Sequence, residues 1–192
     1  MTLEEKAKHV SRETGLSFHL FLGHVVGEVR VECAAIKELK PSEKEVSEFE
    51  EEINWALPEE YRIFLKNFGS VYMDAKPEAW PKIDVGSIIP FWATNYGFII
   101  FGLGKKVPKH LDLRRKFYQF KNAFPDLPFF LPLQRLVPGD QSYTGYNEDG
   151  VLCIKFAGET KLRLLDISFN EFLVAEAKDL QDRIIKRANL GV

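Results

Sequence analysis

"LPEEYRIFLKNFGS", residues 57–70, decides how the chain is read. Pro58 suits the first position of a helix, where its missing N–H is no loss. Glu59 and Glu60 would lie at the positive end of the helix dipole and Lys66 at the negative end. Gly69 can take the left-handed conformation that stops a helix. Between these marks Tyr61, Phe64, Leu65 and Phe68 recur at the spacing of one helical face. The stretch predicts a short helix over 58–68 with one apolar side to bury.

Just upstream, Pro41 precedes Ser42, and Ser42-x-x-Glu45 has the form of a capping box. Val46, Phe49 and Ile53 share a face of the helix it would start, at 42–54, and Glu48 and Glu51 point away from that face. Thr2-x-x-Glu5 with Leu3, Ala7, Val10 and Gly15 predicts another helix near the N-terminus. In residues 18–36, Val29, Val31 and Cys33 alternate as in a half-buried strand, although Val29, Cys33 and Ile36 also suit one helical face.

Downstream, a proline-containing loop at 77–81 is followed by strand-like runs at 83–89 and 96–103. A helix is expected at 109–124, with Leu113, Phe117, Phe120 and Phe124 on one face. "PFFLPLQRL" starts a series of short strands, and Asp149-Gly150 in "GYNEDGVLCIKF" suits a tight hairpin turn. "KLRLLDI" is a further strand. Ser168-x-x-Glu171 caps a last helix lined by Phe169, Phe172, Leu173, Leu180 and Ile184. Helices first, then antiparallel strands, then a closing helix: this order predicts an α+β fold, a mostly antiparallel sheet flanked by helices.

The 192 residues suit one domain, able to bury roughly 70% of the surface of its unfolded chain. Sixteen phenylalanines make that core rich in rings. The apolar runs are far short of the roughly 20 residues a membrane span needs, and "MTLEEKAKHV" is no secretory signal. Cys33 and Cys153 are read as reduced, buried thiols, so the protein is expected in the cytoplasm. Residues 38–60 hold nine glutamates against Lys40 and Lys44, and residues 105–121 hold seven cations against Asp112. One acidic and one basic region are therefore expected.

Catalytic signals are missing. His9, His19, His24 and His110 form no HxxxH or HExxH pattern. "GLGKK" at 102–106 is no Walker loop: Ile99 stands where the first glycine belongs, and Lys106 where Ser or Thr does. It reads better as a glycine-rich strand end. "GDQSYTG" has its serine out of place for GxSxG. No enzyme, cofactor or metal site is expected. Phe117 and Tyr118 lie within the basic run and could stack on bases, but the slightly acidic total charge argues against nucleic acid as a partner.

Taken together, the acidic amphipathic helix followed by Leu57-Pro58-x-x-Tyr61-x-x-Phe64-Leu65-x-x-x-Gly69 resembles the N-terminal signature of the SUKH superfamily. That superfamily groups bacterial toxin-immunity proteins with fungal cell-wall assembly regulators. "FLPLQRLVPGDQSYTGYN" (130–147), "DGVLCIKF" (149–156) and "SFNEFL" (168–173) resemble its later segments, in the same order. The resemblance covers about 42–178. It implies an α+β domain over 41–192, with residues 1–40 as an extension packed on it. It further implies a non-catalytic protein that binds and neutralises a cognate toxin, or else a regulatory scaffold in stress or cell-wall assembly control. In this pattern Leu57, Pro58, Tyr61, Phe64, Leu65, Gly69, Gly139, Ser168, Phe169, Phe172 and Leu173 are architectural. Partner binding is placed at Glu48, Glu51 and Glu59 on the acidic helices, and at Asp140 and Tyr143.

Overall fold

The computed structural model describes residues 31–35, 40–75, 98–135 and 142–190. Along the chain run β1 (Val31–Ala35), α1 (Glu43–Ile53), α2 (Glu59–Phe68), β2 (Val71–Ala75), β3 (Phe98–Ile100), α3 (Leu113–Ala123), β4 (Phe130–Arg135), β5 (Tyr143–Asn147), β6 (Leu152–Lys155), β7 (Leu162–Leu164) and α4 (Phe169–Leu190). β1, β2 and β3 pair in that order, and β4 to β7 form an antiparallel four-stranded meander. The fold is α+β. The expected helix near Thr2, the strand at 83–89 and the Gly139-Asp140 pair lie outside the described residues.

Two compact units divide the chain. One holds residues 1–34, 72–98 and 170–192; the other holds 35–71 and 99–169. The second contains α1, α2, α3 and the meander. Its core is aromatic: Tyr61, Phe64 and Phe169 meet at ring distances of 5.2–6.3 Å, and Tyr146 lies 6.0 Å from Tyr61. Stacked, tilted and edge-on rings at such distances add to the burial of their area. A second cluster joins Phe120, Phe130 and Cys153.

Local chemistry sets each element. Ser42 caps α1 with both halves of the box made: Glu45 N donates to Ser42 Oγ at 3.2 Å and Ser42 N to Glu45 Oε2 at 2.9 Å. Asn54, in the left-handed region at φ 51°, ends it. Pro58 stands one residue before the first helical position expected for it, as the cap of α2, where its carbonyl accepts Arg62 N at 2.9 Å. Gly69 has positive φ as expected, but φ 69° with ψ −130° is not the left-handed helical region; it is one that only glycine occupies freely.

α3 starts at Leu113 and not at 109. Leu111 N closes a turn on Pro108 O at 2.8 Å, and the Asp112 side chain accepts Arg114 N at 3.0 Å. The side-chain cap at Asp112 leaves residues 109–111 in the turn before the helix. The β5–β6 hairpin also differs from a two-residue turn. Gly150 is at φ 73° while Asp149 has negative φ, so the mirror-image turn, which needs positive φ at both central residues, is not formed. Gly150 N instead donates to Asn147 O at 3.1 Å, and the Asn147 side chain accepts Val151 N at 2.8 Å.

In β4, Pro132 has no N–H to offer. The register slips between Pro132 and Gln134, and the bulged Leu133 turns its carbonyl to Phe101 N at 2.8 Å. That bond joins the 98–103 segment to the meander. Gly102 then passes so close to Ser70 that a Cβ there would stand 2.6 Å from the Ser70 backbone nitrogen. This close approach is why "GLGKK" needs its first glycine.

Candidate protein-binding surface

The glutamates of residues 43–60 do not form one acidic face. Arg62, reaching back from α2, pairs with both Glu43 and Glu50, and Lys66 Nζ stands 2.6 Å from Glu43 Oε2. These cations hold the Glu43 carboxyl below the usual range, Lys66 first and Arg62 second, and Glu43 in turn raises the Arg62 guanidinium. Glu50 accepts Leu57 N at 2.9 Å and so fixes the joint between α1 and α2. Glu45 is held low chiefly by the Ser42 amide; it also accepts Lys105 N at 3.0 Å, the first residue of the basic run.

Glu52 is consumed by α3. Arg114 Nε lies 2.8 Å from Glu52 Oε2; the angle is not that of a hydrogen bond, so the contact is an ion pair only. The Glu52 carboxylate also raises the Tyr118 phenol. One acidic and one basic region were expected; the two runs touch at Glu45, which accepts Lys105 N, and at Glu52, which pairs with Arg114. Sequence distance hides such pairs, because α1 and α3 are brought together by apolar contacts such as Phe49 on Phe117, ring centres 6.4 Å apart.

Three of the expected partner-binding residues are exposed. Glu48 and Glu51 project from α1, and Glu59 opens α2. Glu48 has a 3.7 Å ion pair with the exposed Lys44, a contact of the kind worth little in water. Tyr143 is on β5, half-buried, edge-on to Phe120 at 5.5 Å. Asp140 lies outside the described residues. Of the architectural set, Leu57, Tyr61, Phe64, Leu65, Phe169, Phe172 and Leu173 are buried, and Ser168 directly precedes α4. Buried Tyr61 donates its hydroxyl to Phe101 O at 2.8 Å, and burial raises its phenol far above the ordinary value. The side chains of Leu180 and Ile184 lie outside those described. Cys153 is a free, buried thiol pushed up to about 12 by desolvation, which leaves it inert as a nucleophile.

Sequence reading missed two features. Lys155, 1% exposed, holds its ammonium 3.8 Å over the Phe124 ring. Trp55, in the joint between α1 and α2, tilts over Phe129 at 4.9 Å and donates Nε1–H to Glu148 O at 2.8 Å. Its place between two helices with strong signals of their own was the only hint. Beside it, a groove of about 260 Å³ opens between the C-terminal turn of α1 and α3, lined by rings that include Phe117, Tyr118 and Phe129. No group of three or more metal-binding side chains occurs among the described residues, and none of their helices is long and apolar enough to cross a membrane.

The chain from residue 40 to residue 175, more than half its length, matches the family model described as the SMI1 / KNR4 family (SUKH-1). No curated protein matches the chain.

Proposed function

The chain belongs to the SMI1/KNR4 (SUKH-1) family, and from that membership we propose that it is a non-catalytic binding protein of the immunity type, which holds a cognate toxin domain in an inactive complex. The superfamily includes immunity proteins and cell-wall regulators. The family match is the observation that carries the reading. Its start at residue 40 supports taking residues 1–40 as an extension of the family domain.

Glu48, Glu51 and Glu59 are the acidic groups we assign to the partner. They are exposed, whereas Glu43, Glu45, Glu50 and Glu52 are engaged within the protein. A nuclease toxin has a basic active site because it holds phosphates. An acidic surface competes for that site and speeds encounter by long-range attraction.

The test is co-expression with each reading frame that neighbours this gene, followed by association kinetics on any product that proves toxic. Protection of the host is expected. Glu48→Lys with Glu51→Lys should keep the wild-type melting temperature and slow association. The slowing should be largest at low salt, where the Debye length is about 30 Å at 0.01 M. Equal rates at low salt would remove these glutamates from the site. Absence of protection would favour a regulatory scaffold in stress or cell-wall control over the immunity role.

A further inference from the structure

The groove beside Trp55 has properties that the acidic face of α1 does not explain. Its floor is apolar and buried: Phe117, Phe120 and Phe130 are each at most 5% exposed. Its rim is open, with Tyr118 37% exposed and Phe129 half-buried. At about 260 Å³ it is smaller than the pockets that enclose whole drug-sized ligands, and it fits one large side chain.

The rim is also held in place before any partner arrives. Trp55 is pinned by its bond to Glu148 O and braces Phe129, and Tyr118 packs edge-on to Phe117 at 5.3 Å. A preformed apolar cleft ringed by aromatic side chains is the usual receptor for an interface anchor, because little ordering is left to pay at binding.

Charge selects what carries the anchor. The acid lining the groove, Glu52, is neutralised by Arg114 at 2.8 Å. α3 itself has no acidic residue, and its Arg115 and Lys121 are exposed with no ion pair among the described residues. Lys121 lines the groove directly. Helix geometry turns Glu51 to the side of α1 opposite the groove, since Glu52 and Ile53 face it. With Glu52 paired, Lys121 is the one charged side chain lining the groove that has no ion pair among the described residues.

We propose that this groove seats an aromatic side chain from an acidic segment of the partner protein, with a flanking carboxylate on Lys121. The inference rests on the reading of this chain as a protein-binding protein, and not on the partner being a toxin.

The test uses the full chain, isotopically labelled, and a short synthetic peptide with one phenylalanine flanked by glutamates. Amide shifts should change at residues 52–55 and 117–130. Replacing the phenylalanine by alanine, or the glutamates by lysines, should each weaken binding about tenfold or more. Lys121→Glu should retain the wild-type melting temperature and reverse the preference between the acidic and basic peptides. No shifts at millimolar peptide, shifts mapping elsewhere, or equal binding of the alanine peptide would overturn the proposal. So would equal binding of an uncharged glutamine peptide, which would make the occupant merely apolar. Host protection together with a blank titration removes the groove and leaves the immunity reading intact. A working groove without protection does the reverse.

Discussion

At Gly69 the chain leaves α2 with φ 69° and ψ −130° while its N–H still donates to Leu65 O at 2.9 Å. A β-branched residue cannot follow that path without strain. Gly69→Val should lower stability by about 1–3 kcal/mol, seen as a fall in melting temperature. An unchanged melting temperature would show that the exit from α2 adapts to a side chain. That a glycine was needed here was legible, because a helix with an apolar face must stop somewhere and only Gly69 follows it. The need at Gly102 was not, since its crowding neighbour Ser70 arrives from a distant part of the chain. The tyrosine in the same helix was legible as core. Its hydroxyl partner, the Phe101 carbonyl, was not.

Among the elements, α1 and α2 follow their local signals closely. Capping is settled by atoms three residues apart, and both bonds of the Ser42 box form. α3 begins four residues later than expected, because Asp112 takes the cap. The α1–α2 pair is stapled by Arg62 and Lys66 on Glu43, and its first turn by Ser42 on Glu45. Both carboxyls are lowered from the unfolded value of 4.5, so each contributes stability that is fully present above about pH 4.5 and is lost as pH falls through the folded values. Acid titration of the melting temperature should therefore drop below that pH. The drop should be shallower in Glu43→Gln with Glu45→Gln than in wild type. Parallel curves for the two proteins would show that other carboxylates govern the acid limb.

For the whole molecule, no metal is expected to hold the fold together, since the rings of Tyr61, Phe64, Tyr146 and Phe169 close a core of their own. Exhaustive chelation should leave the melting temperature unchanged, and a stoichiometric zinc signal in elemental analysis would contradict this. The sequence by itself determined the α+β class, the helical pair, the hairpin and the family, because periodicity, caps and turn residues act over a few positions. Tertiary structure alone decided which charges are paired across elements. Glu43, Glu50 and Glu52 look no different in the sequence from Glu48 and Glu51, yet Arg62 and Arg114 engage the first three. It also decided that Tyr118 and Phe129 rim one groove, with Trp55 packed behind Phe129. Such neighbours are chosen by packing between distant segments, and burial, unlike capping, leaves no fixed spacing along the chain.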